Sequence, residues 1–139
     1  MIQRIQTIWL FIAFLFTLLI FWFPIYKTND SILTVGNDFI AIILLVLSMG
    51  LSLITIFRFK HRKDQKMYTR INILINIALL AWFFYKINAF REEQLTLYNQ
   101  EGYYWIGAFI PLITIIFLVL ALAGVKKDEK LLRSLDRLR

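Results

Sequence analysis

Few side chains in this sequence belong to the types that perform catalysis or bind metal ions. The 139 residues include no cysteine and a single histidine, His61, which lies between two basic residues. Disulfides, thiolate nucleophiles and Cys/His metal sites are therefore excluded. Ser48 and Ser52 lie within an apolar stretch that contains no acidic residue and no histidine partner. We predict that the protein is not an enzyme and uses no cofactor or metal.

Polar residues inside two of the apolar stretches have helical spacing. Ser48, Ser52 and Thr55 share one helix face, and Asn72 and Asn76 are four residues apart on another helix. Small hydroxyl and amide side chains in a membrane act mainly as contacts between helices. We therefore interpret all five as helix-packing residues and expect Asn76 to hydrogen-bond on the face that carries Ser52. The alternative is a polar path through the membrane in a small transporter or channel subunit.

Lys86 is the one basic residue well inside an apolar stretch, about four residues from its end. A lysine at this depth is able to extend its ammonium group to the headgroups, so this is the favoured interpretation. A lysine that takes part in transport is the alternative.

The composition indicates a membrane protein. Hydrophobic residues make up 60% of the chain, charged residues 18%, and the mean hydropathy is +0.68. Soluble domains have about 45–50% apolar and about 25% charged residues. Four apolar runs have about the 20 residues that a spanning helix needs, at about 5–24, 39–57, 71–90 and 105–125. We predict an all-α fold, a transmembrane four-helix bundle built from two helical hairpins within residues 1–125.

The basic residues are distributed unevenly between the two sides of this predicted bundle. Thirteen of the sixteen Lys and Arg residues fall at the N-terminus, in the middle loop or after residue 125, and three fall on the other side. By the positive-inside rule both termini should be cytoplasmic. We expect no nucleic-acid partner, and we expect the middle loop to bind anionic membrane lipid through Arg58, Lys60, Arg62, Lys63, Lys66 and Arg70.

Residues 126–139 differ in character from the rest of the chain. Four leucines follow a helical stripe, at Leu131, Leu132, Leu135 and Leu138. We predict a cytoplasmic C-terminal amphipathic helix whose stripe is buried on a partner protein or on the membrane surface. The acids Asp128, Glu129 and Asp136 favour a protein partner, because anionic lipid repels them.

Both ends of the chain also carry a family resemblance. The opening Met1-Ile2-Gln3-Arg4-Ile5-Gln6-Thr7 and the closing segment 127–139 resemble a family of short bacterial four-span membrane proteins, catalogued as domain of unknown function 4293. The resemblance implies this fold and a place in the bacterial inner membrane, but it implies no chemistry. The predicted function is therefore a non-enzymatic membrane component that binds a protein partner or anionic lipid at its cytoplasmic face.

Overall fold

The computed structural model describes the backbone of residues 2–58 and 61–136, and the side chains of residues 5–58, 61–131 and 134. Four helices form most of the fold, and three short strands lie at one end of them. In chain order the elements are α1 (Ile2–Leu19), β1 (Tyr26–Lys27), β2 (Ile32–Leu33), a 3-10 turn (Val35–Asn37), α2 (Phe39–Phe57), α3 (Arg62–Tyr98), β3 (Tyr103–Tyr104) and α4 (Ile106–Asp136). The predicted all-α class with four helices is confirmed.

Each helix packs mainly on two neighbours, in the cyclic order α1, α2, α3, α4. The first and last helices are therefore adjacent, and the bundle closes. One apolar cluster fills the half of the bundle near the strands, around Ile20, Tyr26 and Phe83. A second cluster lies between α1 and α4, around Leu10 and Leu118.

The outer faces of the helices are apolar. Phe11 on α1, Ile43 on α2, Leu74 on α3 and Ile116 on α4 are each between 42% and 65% exposed. Large exposed apolar surfaces are unusual on soluble monomers and are typical of helices in contact with lipid. Helices α2, α3 and α4 are long and apolar enough to cross a membrane, whereas the apolar part of α1, Ile5–Leu19, is shorter.

Helix α1 is shorter than the first apolar run predicted. It ends at Leu19, where tighter turns begin: the N–H of Phe21 bonds to Leu18 and that of Trp22 to Leu19, at 3.2 and 3.0 Å. Pro24 follows, and proline has no N–H with which to continue a helix. The last five residues of the predicted span therefore form a turn that leads into β1.

The sheet beside this turn was not predicted. Strand β1 pairs antiparallel with β2 on one side and with β3 on the other. The start of α4 is tied to the same turn, because the N–H of Gly107 bonds to the carbonyl of Pro24 at 3.0 Å. A Cβ at residue 107 would lie 2.3 Å from that carbonyl oxygen, so only glycine permits the approach. We call this end of the bundle the sheet end.

Helices α3 and α4 extend beyond the predicted spans. With 37 residues, α3 is about 55 Å long, well above the roughly 30 Å of the hydrocarbon core. It ends at Tyr98, and its C-cap residue Asn99 has a left-handed φ of 50°. Helix α4 continues unbroken from Ile106 to Asp136, so the described part of the tail is an extension of the fourth helix and not a separate element.

Candidate functional site: polar contacts and the basic end

A buried polar cluster joins α2 to α3. The hydroxyl of Ser48 donates to Asn72 Oδ1 at 2.7 Å, and Asn72 Nδ2 donates to the hydroxyl of Ser52 at 2.8 Å. Asn76 Nδ2 donates to Ser48 at 2.9 Å and to Asn72 Oδ1 at 3.1 Å. All four residues are 0–1% exposed. They bond to one another across the interface between the two helices, an arrangement that stabilises the hairpin.

Asn76 hydrogen-bonds on the face of α2 that carries Ser52, the face expected from the sequence. Its partner on that face is Ser48, one helical turn from Ser52, and Ser52 itself accepts from Asn72 Nδ2. Thr55 is buried, but its hydroxyl donates to the carbonyl of Leu51 in its own helix at 2.6 Å.

Lys86, whose side chain is 39% exposed, faces an acidic partner at the start of α2. Its ammonium group lies 3.5 Å from Asp38 Oδ2 and 5.6 Å from the centre of the Trp82 ring. Trp82 Nε1 donates to the same carboxylate oxygen at 2.7 Å. Asp38 also caps α2, since its other oxygen accepts from the N–H of Ile40. The depth of Lys86 is thus explained by an ion pair that links α3 to the start of α2, a contact that the sequence analysis missed.

The opposite end of the bundle carries most of the basic residues, and we call it the basic end. There, two acids of α4 turn inward. Asp128, 6% exposed, accepts a hydrogen bond from Gln6 Nε2 of α1. Glu129 forms an ion pair with Lys66 of α3. Gly124 permits the first contact, because a Cβ at that position would lie 2.8 Å from Gln6 Cγ.

These contacts give the acidic residues Asp128 and Glu129 a role within the bundle. From the sequence, Asp128 and Glu129 were expected to favour a protein partner, whereas in the structure both bond to side chains of neighbouring helices. The spacing contained a signal: Ala121, Val125 and Asp128 follow one another at helical intervals, and all three are buried. A polar residue that continues a buried stripe indicates an internal contact.

Lysines surround the ion pair between α3 and α4. A cavity of about 230 Å³ is lined by Lys66, Lys126, Glu129 and Lys130. Glu129 compensates the charge of one lysine, so the lining carries two positive charges in excess. Lys126 and Lys130 are exposed and one helical turn apart on α4. Such a lining is suited to a phosphate-bearing anion.

The other described residues among those predicted to bind lipid lie at the same end but do not form one site. Arg58 pairs with Asp64 at 3.3 Å, and both side chains are exposed. Lys63 and Arg70 are exposed and Arg62 is half-buried, while Lys60 lies outside the described residues. Of the four tail leucines, Leu131 is 45% exposed. The side chains of Leu132 and Leu135, and all of Leu138, lie outside the described part of the chain.

Comparison with known proteins gives a family for the chain. No curated protein and no solved structure matches it significantly. Residues 2–138 match the model of a family described as a domain of unknown function (DUF4293). That match covers nearly the whole chain, so the protein belongs to the DUF4293 family.

Proposed function

We propose that this chain is an integral protein of the bacterial inner membrane and crosses the bilayer four times. Helix α1 supplies the fourth crossing. Its 18 residues give about 27 Å, close to the roughly 30 Å of hydrocarbon. Its outer face is apolar at Ile8, Phe11 and Leu15, each more than 40% exposed. A helix with such a face, packed beside three longer apolar helices, is suited to lipid on its outer side.

Both termini lie in the cytoplasm in this proposal. The support is the charge distribution, with thirteen Lys and Arg residues on the basic-end side and three on the other. Single cysteines test it directly, since the natural chain has none. A membrane-impermeant maleimide should label Asn29→Cys in intact cells and should label His61→Cys only after the membrane is opened. Labelling of His61→Cys in intact cells would reverse the orientation.

At the cytoplasmic face the protein binds anionic phospholipid and acts as a non-enzymatic membrane component. The observation that carries this proposal is the inward placement of Asp128 and Glu129. With these acids bonded inside the bundle, Lys126 and Lys130 remain exposed beside a cavity at the level of the headgroups. Each basic side chain near an anionic surface contributes about 1 kcal/mol.

The test measures lipid bound to the full-length protein in mild detergent by native mass spectrometry, with phosphatidylglycerol as the probe. We expect the double variant Lys126→Gln/Lys130→Gln to bind phosphatidylglycerol about 30-fold more weakly, from about 1 kcal/mol for each lysine. Lys27→Gln removes a positive charge at the sheet end and serves as the control. Equal affinity of the double variant and the control would refute the lipid site.

A protein partner on the tail is the second candidate function, and Leu131 favours it. This leucine is 45% exposed on the part of α4 that extends beyond the apolar segment. Leu131→Asp should then release a protein that crosslinks to the parent chain in native membranes, while phosphatidylglycerol binding stays unchanged. If crosslinking is the same in both proteins, this surface binds no partner.

A further inference from the structure

Two cavities that share Tyr104 as a lining residue lie at the sheet end, opposite the basic end. The first is an apolar groove of about 270 Å³. Its lining comes from both helices and from β3: Phe83, Phe84, Ile87, Tyr104, Ala108 and Phe109. The groove lies along the faces of α3 and α4 where Phe84 and Phe109 are more than half exposed.

The second is a polar cavity of about 240 Å³, lined by Tyr26, Arg91, Glu101, Gly102 and Tyr104. It contains one positive and one negative side chain, and both are exposed. Among the described residues, neither Arg91 nor Glu101 forms an ion pair or a hydrogen bond with another side chain. Two opposite charges thus line one cavity without pairing to each other.

Tyr104 forms a wall of both cavities. Its ring centre lies 5.7 Å from that of Tyr26 in the polar cavity, and 6.4 and 6.5 Å from those of Phe84 and Phe109 in the apolar groove. On α3 the two linings are also continuous, since Arg91 follows Ile87 by one helical turn. The composite site therefore has a charged part at the end of the bundle and an apolar part that runs down the helices.

We propose that this composite site binds one zwitterionic phospholipid. The guanidinium of Arg91 binds the phosphate, the carboxylate of Glu101 binds the headgroup ammonium, and an acyl chain lies in the apolar groove. The aromatic residues Tyr103, Tyr104 and Trp105 place the polar cavity at the headgroup level, where tyrosine and tryptophan are enriched. An anionic lipid fits less well, because it offers no cation to Glu101 and is repelled by it.

The test compares two lipids on the full-length protein in detergent, again by native mass spectrometry. Phosphatidylethanolamine and phosphatidylglycerol with identical acyl chains are titrated separately, and every protein compared also carries Lys126→Gln/Lys130→Gln so that the anionic site at the basic end does not contribute. We expect Glu101→Gln to weaken phosphatidylethanolamine binding about fivefold, the worth of one exposed ionic contact, and to leave phosphatidylglycerol binding equal or stronger. Arg91→Gln should weaken both lipids, because both carry the phosphate. Both substitutions are at exposed positions and should leave the fold intact.

Glu93→Gln is the matched control, with the same charge change on an exposed residue of α3 outside the cavity lining. It should leave both affinities unchanged. Glycerophosphoethanolamine, which has the headgroup but no acyl chain, should bind at least about tenfold more weakly than the lipid. If Glu101→Gln leaves phosphatidylethanolamine binding unchanged, or shifts both lipids by the same factor, the proposal is wrong. Neither result depends on the anionic site at the basic end, because its two lysines are replaced in every protein compared.

Discussion

Replacing Asn72 tests whether the buried polar cluster holds the second and third helices together. Asn72→Leu keeps a side chain of similar branched shape but removes both polar atoms. Three interhelical or neighbouring hydrogen bonds disappear: those with Ser48, with Ser52 and with the amide of Asn76. Hydrogen bonds of this kind in membrane proteins average about 0.6 kcal/mol, so we expect a loss of about 2 kcal/mol in the free energy of unfolding.

The assay is unfolding by sodium dodecyl sulfate in mixed micelles, followed by circular dichroism. Asn88→Leu is the control, because Asn88 lies on the same helix but is exposed, and its replacement should change the free energy by less than about 0.5 kcal/mol. Ser48→Ala, combined with Asn72→Leu in a double-mutant cycle, isolates the contact between the two residues. A stability of Asn72→Leu within about 0.5 kcal/mol of the parent would refute the structural role of the cluster.

Two further predictions concern the sheet end. Gly107→Ala should destabilise the protein by about 1–3 kcal/mol in the same unfolding assay, because the new Cβ meets the Pro24 carbonyl oxygen at 2.3 Å. The control is Gly50→Ala, which should be neutral or stabilising because no neighbouring group lies within 4 Å of the new Cβ. Equal effects of the two substitutions would contradict the close-contact argument. Asp38→Asn should lower the free energy of unfolding by about 1 kcal/mol, because it removes the charge that faces Lys86 at 3.5 Å. The free energy of unfolding should also become less dependent on salt concentration. An unchanged salt dependence would show that the ion pair contributes nothing.

The helices were predictable because hydropathy alone determines them. A run of about 20 apolar residues in lipid forms a helix, because a helix satisfies the backbone hydrogen bonds within the segment. The Ser and Asn residues at helical spacing indicated which helix faces meet. The helix ends were less predictable, because they depend on polar contacts between segments distant in sequence. Nothing near Leu19 shows that the chain turns there to pair with β3, and the strands of that sheet have two residues each.

The long-range polar contacts escaped prediction for a related reason. Lys66 and Glu129 are 63 residues apart, and Gln6 and Asp128 are 122 apart. The sequence shows that each is polar, but a polar residue at a helix end is equally compatible with water, with lipid headgroups and with a neighbouring helix. Which of these surroundings Asp128 and Glu129 have depends on how α4 is rotated about its axis. The buried apolar stripe of α4, which ends in Ala121 and Val125, defines that rotation only when the packing of α4 on α1 is known.

The pairing of charges makes the two ends of the bundle chemically different. At the basic end the acids Asp64, Glu129 and Asp128 each bond to a side chain of the bundle. Thirteen basic residues against four acidic ones leave this end of the chain with an excess of positive charge, and Lys126 is among the exposed basic residues. At the sheet end Arg91 and Glu101 line one cavity as unpaired opposite charges, so the local charge is balanced. A positive surface favours anionic headgroups and a balanced pair favours zwitterionic ones. One small bundle is thus expected to select different phospholipids in the two leaflets, through the exposed lysines at the basic end and through Arg91 and Glu101 at the sheet end.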